Sequence, residues 1–250
     1  MERDFNKINN SLVELLSWSN GYFGRIDTWG QRSEKYEYIG YKLTKDLIPT
    51  LEKMSEEQLG SLTKIMLYFE IHALPLKKIL IPDSKNTYLQ IYYDIAWSHF
   101  MTIVMFGMLE VAAKTSDCKI NDQRGYFMKE KSIICFLEKY LDDDSKRLII
   151  ERFTTEEPKT FSEIIDHFWR NVRSGFVHEA NLDFVGLEWV TFTGGIGSKE
   201  DPIRMGRDVP IQDLFQIAWQ SILCSYGYNG KVKIPSYSEI DDSSIIKIVE

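Results

Sequence analysis

The chain has 250 residues, of which 44% are hydrophobic and 27% are charged, a balance that is typical of a globular protein and excludes wholesale disorder. The formal net charge of −7 argues against a protein that coats nucleic acid through its overall field, although it leaves room for a local basic groove. The three cysteines are scattered and form no C-x-x-C pair, which disfavours a disulfide framework or a zinc site and fits a reducing compartment.

The N-terminus and the longest apolar run both predict a protein outside the membrane. The opening residues, MERDFNKINN, lack the basic flank and apolar h-region of a signal peptide. The longest apolar run, 100–109, falls well short of the ~20 residues that a membrane-spanning helix needs. We therefore expect a soluble, cytoplasmic protein with no membrane partner.

The first part of the chain, 1–80, predicts an N-terminal helical extension. Apolar residues recur at helical spacing near the N-terminus, whereas residues 22–50 show no firm period. A capping box of Ser55 and Gln58 then predicts a second helix, which we expect to end at Pro75.

A four-helix core is expected over 87–226. Its most apolar helix, 87–114, has hydrophobic residues around most of its circumference and is therefore predicted to be the buried central helix. Shorter apolar-periodic stretches predict two helices over 133–141 and 142–153, and a final helix over 211–227.

The stretch from Thr160 to Ala180 contains the densest set of polar groups. Thr160 and Glu163 form a T-x-x-E capping box, which predicts the start of a helix. Apolar residues then follow a 3.6-residue period, so one face should dock on the core: Phe161, Ile164, Ile165, Phe168, Trp169 and Val172. The opposite face collects hydrogen-bonding and proton-transferring groups: His167, Arg170, Asn171, Arg173, Ser174 and His178.

Three polar residues interrupt the apolar surface of the central helix on roughly one side: Asp94, His99 and Glu110. They are expected to face a solvated seam or to be satisfied by partners. The alternative is that one of them supports the polar face of the helix that starts at Thr160.

An excursion over 183–208 shows strand-like alternation followed by glycines, and it predicts a small β-hairpin projecting from the helical body. Lys199, Arg204 and Arg207 lie in this excursion with Trp189, and cationic and aromatic groups together suit an RNA strand. The alternative is a hairpin that only covers the core.

The remaining residues form a C-terminal tail over 227–250. Its apolar run at 245–249 predicts a short strand, for which the hairpin is one candidate partner. The predicted fold class is therefore mainly α, with a helical extension, a four-helix core and a β-hairpin insertion near 183–208.

Arg173 and His178 are separated by four residues, and a serine follows the arginine. This R-x4-H string, at the end of an amphipathic helix, resembles the R-x4–6-H signature of HEPN domains. HEPN domains are small helical bundles found in many ribonucleases of toxin–antitoxin, anti-phage and RNA-processing systems. The resemblance covers about 87–226. It implies a homodimeric, metal-independent endoribonuclease with RNA as substrate, no cofactor, and an antitoxin or another protein as partner.

The implied chemistry assigns a role to each polar residue of the segment. His178, with an ordinary pKa near ~6.5, would take a proton from a ribose 2′-hydroxyl. Arg173, always charged and planar, would stabilise charge on the phosphoryl oxygens, and Asn171 and Ser174 would orient the phosphate or the imidazole. The remaining supporting residues are Arg170, His167 and Glu179.

On a continuous helix, Arg173 and His178 would point about 140° apart. They can converge on one phosphate only if the helix bends or ends between them, and Gly175 is the residue best able to allow this. The alternative is that the pair meets its counterpart across a two-fold axis, which is the arrangement that the HEPN resemblance implies.

The same residues have plainer interpretations. His178 would be favourable near a helix end through its charge alone, and Arg170 and Arg173 would pair with nearby carboxylates on the surface. His72 and His99 have apolar sequence neighbours and are interpreted as structural. No H-E-x-x-H, Walker or G-x-G-x-x-G pattern occurs, so no metal or nucleotide cofactor is expected. The alternatives to a ribonuclease are a catalytically inactive HEPN-like module that binds a nucleotide, RNA or protein, and a helical scaffold.

Overall fold

The structure is a computed structural model, and it describes most of the chain. The backbone is described over residues 4–19, 22–26, 32–39, 41–79, 87–153, 159–174, 187–188, 209–233 and 245–247. Side chains are described over residues 4–16, 41–72, 100–153, 159–171, 173–174 and 213–233.

The described residues are mainly helical, as the sequence predicts. The helices are α1 (Phe5–Ser19), α2 (Ile48–Leu51), α3 (Glu56–Ile79), α4 (Thr87–Lys114), α5 (Lys129–Tyr140), α6 (Asp143–Arg152), α7 (Phe161–His167), a π-helical segment (Phe168–Ser174) and α8 (Ile211–Ser225). The strands are β1 (Tyr22–Ile26), β2 (Arg32–Ile39), β3 (Lys42–Leu43), β4 (Leu187–Glu188), β5 (Val209–Pro210), β6 (Val232–Lys233) and β7 (Ile245–Lys247). None of the described helices combines the length and the hydropathy that a membrane span requires.

The sequence did not predict the three-stranded sheet, whose first two strands, β1 and β2, follow α1 in the chain. Strand β2 pairs antiparallel with β1 on one side and with β7 on the other, so the order is β1-β2-β7. The predicted strand in the C-terminal tail is therefore confirmed, and its described partner is β2. This pairing joins residues about 200 positions apart, and local sequence patterns carry no information on contacts of such separation.

The capping boxes predicted at Ser55 and Thr160 are both present. The Ser55 N–H donates to Oε1 of Gln58 at 2.9 Å, and the Gln58 N–H donates to Oγ of Ser55 at 3.2 Å. The prediction that the second helix ends at Pro75 is wrong, because α3 continues to Ile79. A proline removes one backbone hydrogen bond from a helix interior, and the packing of α3 against α4 offsets that loss here.

Helix α4 is the buried central helix, as predicted. Its described side chains include nine that are buried: Met101, Thr102, Val104, Met105, Phe106, Met108, Leu109, Ala112 and Ala113. Helices α3, α5 and α8 and the π segment all pack against it. One continuous cluster of buried residues runs from Leu12 to Val232, so the N-terminal helices share the core of the predicted four-helix unit. The division of the chain at residues 80–87 stays a prediction.

Helix α8 ends as the sequence predicts, at a glycine with positive φ. Gly227 has φ +89°, and its N–H donates to the Cys224 carbonyl at 2.9 Å. The Tyr228 N–H donates to the Leu223 carbonyl at 3.1 Å, which completes a Schellman motif. Strand β6 follows and pairs antiparallel with β3, so the end of the bundle is tied to the N-terminal part of the chain.

The predicted hairpin over 183–208 lies largely outside the described residues. Its described ends, β4 and β5, form a two-stranded parallel pair in which Leu187 lies opposite Val209. These two strands are therefore not the arms of one hairpin. Any pairing within 189–208 stays a prediction.

Candidate functional site

The helix that carries most of the predicted site begins as the sequence indicates. The Thr160 N–H donates to Oε2 of Glu163 at 2.7 Å, and the Glu163 N–H donates to Oγ1 of Thr160 at 3.3 Å. The Thr160 N–H and the Thr160 hydroxyl both donate to the Glu163 carboxylate, and these two bonds lower the pKa of Glu163 because they stabilise its charged form. The described side chains of the apolar stripe are all buried: Phe161, Ile164, Ile165, Phe168 and Trp169.

The second half of this helix is not α-helical. From Phe168 to Ser174 the backbone is a π-helix, the wide helix type whose characteristic hydrogen bonds join an N–H to the carbonyl five residues back. The wider turn changes the direction in which successive side chains leave the axis. π-Helical turns are rare and are often found at functional sites. The described part of this segment extends to Ser174, so the break that the sequence predicts at Gly175 lies outside the described residues.

Arg170 forms two ion pairs on the protein surface. Its Nε lies 2.7 Å from Oδ1 of Asp166, and its Nη2 lies 3.0 Å from Oε1 of Glu130 on α5. Hydrogen bonds to Glu130 and Asp166 raise the pKa of Arg170. The plainer interpretation, in which Arg170 pairs with a nearby carboxylate, is thus what the structure shows. Two carboxylates already neutralise this cation.

His167 is held between an aromatic pair and an amide. Its ring lies 5.2 Å from the Phe153 ring, centroid to centroid, in an edge-to-face arrangement. Nδ2 of Asn171 lies 2.8 Å from Nδ1 of His167. Because an amide nitrogen only donates, Nδ1 accepts this bond, and the neutral imidazole then carries its proton on Nε2. Asn171 therefore orients His167, and the predicted role of Asn171 toward the phosphate or the His178 imidazole stays a prediction.

Arg173 has a different environment from that of Arg170. Its guanidinium carbon lies 4.5 Å from the centroid of the Trp169 ring, which is cation–π geometry. Trp169 is buried and packs edge-to-face on Phe106 of α4, with 5.2 Å between ring centroids. Arg173 is half-buried, and no ion pair joins it to any side chain that the structure describes.

Tyr68, on α3, is affected by the charges of both Glu110 and Arg173. The pKa of Tyr68 is raised by burial and by the charge of Glu110, whereas the charge of Arg173 opposes this rise. Glu110 also pairs with Lys129 at 2.8 Å. This ion pair is the plainer of the two expectations for Glu110, in which a partner satisfies its charge, and the support of the polar face by Glu110 stays a prediction. Tyr68 belongs to no motif, and the sequence analysis missed it.

One feature of the sequence, a glycine inside α4, could have pointed indirectly to Tyr68. Gly107 lies inside α4, where glycine is unfavourable unless another group must approach closely. A Cβ atom at Gly107 would lie 2.1 Å from the hydroxyl oxygen of Tyr68. A glycine inside an apolar helix could therefore have indicated a close contact, although not its partner.

Several predicted site residues lie outside the described part of the chain. These are His178, Glu179, Trp189, Lys199, Arg204 and Arg207. Ser174 is half-buried at the end of the π segment. The backbone of α4 at His99 is described but its side chain is not. His72 is exposed, and its ring lies 4.4 Å from the Tyr68 ring, so its surroundings are not apolar as the sequence suggested.

Among the described residues, no group of three or more histidine, cysteine, aspartate or glutamate side chains is placed to hold a metal ion. Comparisons of the chain with protein-family models, with curated proteins and with solved structures find no match.

Proposed function

We propose that the protein is a HEPN-like endoribonuclease in which Arg173 and His178 form the catalytic pair. The observation that carries this proposal is the contrast between two arginines on the same segment. Arg170 is neutralised by Asp166 and Glu130, whereas Arg173 stacks on Trp169 with no ion-pair partner among the described side chains. A positioned guanidinium that no described carboxylate neutralises is the group that a phosphoryl transfer needs.

The proposed reaction is an attack of the ribose 2′-oxygen on the adjacent phosphorus. His178 takes the proton of the 2′-hydroxyl, the O2′–P bond forms, and the P–O5′ bond breaks. The leaving O5′ takes a proton from a second His178, which the other copy of a homodimer supplies. Arg173 stabilises the charge that develops on the phosphoryl oxygens. The products are a 2′,3′-cyclic phosphate and a 5′-hydroxyl.

The test is RNA cleavage in the presence of EDTA, with the product ends identified. Wild type should release cyclic-phosphate ends, and His178→Ala should lower the rate roughly 10²–10⁴-fold, the usual contribution of general acid–base catalysis. The melting temperature should stay unchanged. Products with a 3′-hydroxyl, or a His178→Ala variant that cleaves at the wild-type rate, would rule the mechanism out.

The second candidate is a HEPN-like module that binds RNA, a nucleotide or a protein without cleaving it. The net charge of −7 favours this function, because general RNA affinity normally requires positive surface. The ion pairs of Arg170 also favour this function, because they leave the segment with less positive charge for RNA. A wild-type protein that binds RNA and leaves a broad panel uncut would support it.

A further inference from the structure

The connection from α4 to α5 contains a small hairpin over 120–128, and hydrogen bonds fix its conformation. The Asp122 N–H donates to the Tyr126 carbonyl at 2.8 Å, and the Gly125 N–H donates to the Asp122 carbonyl at 3.0 Å. Gly125 has φ +84°, a conformation that favours glycine, so the turn residue suits the turn. The hairpin is therefore a built element of the surface.

The Asp122 carboxylate holds two residues of the hairpin tip side by side. Its Oδ1 accepts from the Arg124 N–H at 2.9 Å and from the Tyr126 N–H at 2.8 Å. Tyr126 is 70% exposed, which is the highest value among the large hydrophobic residues that the structure describes. A ring so exposed gains little from the hydrophobic effect on folding, so the core does not account for its place.

The surface around the tip carries positive charge that nearby carboxylates do not neutralise. Three exposed cations form no ion pair with a side chain that the structure describes: Lys119, Arg124 and Lys131. The three carboxylates between 115 and 131 are all engaged. Asp117 pairs with Lys139, Asp122 accepts the two N–H groups of the tip, and Glu130 pairs with Arg170 at 3.0 Å. This part of a chain with a net charge of −7 is thus locally basic.

We infer that the tip of this hairpin is a docking surface for single-stranded RNA, on which a base stacks on Tyr126 and a neighbouring phosphate binds Arg124. The choice of ligand rests on the proposed function, in which RNA is the substrate. Every base has a π face, so stacking on an exposed aromatic ring tolerates any sequence. A guanidinium binds a phosphate through two parallel N–H groups. The adjacent backbones of the two residues suit the adjacent base and phosphate of one strand.

The start of α5 ties the hairpin to the segment that carries Arg173. Four residues separate Tyr126 from Glu130, and they span at most about 14 Å of chain. The Glu130 carboxylate in turn contacts Arg170 of the π segment. One strand of several nucleotides can therefore contact both the hairpin tip and the π segment.

The experiment measures docking apart from cleavage. The probe is a short fluorescein-labelled single-stranded RNA with 2′-O-methyl groups, which has no hydroxyl to attack the phosphorus. Fluorescence anisotropy over a series of salt concentrations gives the affinity and its salt dependence. Wild type should bind with a Kd on the order of 10–100 μM or tighter.

Tyr126→Ala should weaken binding about ten-fold, the usual effect of losing one stacked base. Tyr126→Phe keeps the ring and should bind within about two-fold of wild type, which separates stacking from a hydrogen bond of the hydroxyl. Arg124→Gln should weaken binding about ten-fold and lower the salt slope by about one phosphate contact. The matched control is Arg147→Gln on α6, because Arg147 is also exposed and loses the same charge.

The outcomes separate this surface from the proposed ribonuclease. A wild type that does not bind the probe overturns the docking surface, even if it cleaves unmodified RNA. Tyr126→Ala binding within about two-fold of wild type also overturns it and favours a protein as the ligand of the exposed ring. An equal loss in Arg147→Gln and Arg124→Gln overturns the role of Arg124. Binding that depends on Tyr126 and Arg124, without cleavage of unmodified RNA, supports the surface and overturns the ribonuclease.

Discussion

The ion pair between Arg152 and Asp213 is the most deeply buried charge contact among the described residues. It joins the end of α6 to the first turn of α8, and the side chains are 28% and 5% exposed. Phe153 follows Arg152 and packs on Phe168, with 5.6 Å between ring centroids. The pair therefore joins α6 to α8 next to Phe153, which packs on the π segment that carries Arg173.

Asp213→Asn should lower the free energy of unfolding by about 3 kcal/mol. Removing one partner of a buried pair typically costs ~3–5 kcal/mol, because the other charge stays buried without compensation. The partial exposure of Arg152 places the expected loss at the lower end of this range. An acidic residue in the first turn of a helix adds ~0.3–1 kcal/mol through the helix dipole. Such a loss is a large part of a domain stability of ~5–15 kcal/mol.

The assay is urea unfolding followed by tryptophan fluorescence and circular dichroism. The matched control is Asp144→Asn, since Asp144 also lies in the first turn of a helix and pairs with an arginine, Arg147. That pair is exposed, at 83% for Asp144 and 67% for Arg147. The control should therefore lose no more than about 1 kcal/mol. The difference between the two variants isolates the buried pair.

If Asp213→Asn loses less than about 1 kcal/mol more than the Asp144→Asn control, the ion pair between Arg152 and Asp213 is not a buried, stabilising contact. A compensating double substitution gives a second check. Replacing Arg152 by Met and Asp213 by Leu should restore most of the stability, because an apolar pair of similar size often equals a buried ion pair.

Two further expectations concern assembly and helix capping. Light scattering should find a homodimer at tens of micromolar, because the proposed reaction needs His178 from two copies; a strict monomer would argue against that composite site. Thr160→Ala should destabilise the fold by roughly 1 kcal/mol at neutral pH through loss of the cap. Because capping lowers the Glu163 pKa below its ordinary value of 4.5, its stabilising effect is present above that value and lost as the pH falls through the lowered pKa. The melting-temperature difference from wild type should therefore shrink in acid, and a pH-independent difference would contradict this explanation.

The sequence predicted those features that depend on neighbouring residues. Thr160 and Glu163 lie three positions apart, so their capping box is a local pattern, and the structure confirms it. Gly227 ends α8 through contacts within a single turn. The buried central helix followed from composition alone, since its apolar residues cover most of its circumference.

The features that the sequence did not predict depend on distant residues. Strand β2 finds its second partner in β7, at the other end of the chain. Helix α3 continues past Pro75 because tertiary packing outweighs the local cost. Tyr68 lies against Gly107 of another helix, and no periodicity records such a contact.

The π segment falls between the features that the sequence predicted and those that it did not. The sequence indicated that the helix must change direction for Arg173 and His178 to converge, and it placed the change at Gly175. In the structure the α-helix already gives way to a π-helix at Phe168. Local composition does not distinguish an α-helical from a π-helical turn, and the contacts of Phe168 with Phe153 and of Trp169 with Phe106 are contacts with other parts of the chain.

The most direct measurement compares Arg173→Gln with Arg170→Gln in single-turnover cleavage of RNA. The two substitutions remove the same charge from the same segment, so their effects on the overall field are equal. We predict that Arg173→Gln lowers the rate by roughly 10²–10³-fold, because it removes a donor to the phosphoryl oxygens. Arg170→Gln should change the rate little, because Asp166 and Glu130 already neutralise Arg170. Equal losses, or a larger loss for Arg170→Gln, would contradict the assignment of Arg173 to the site.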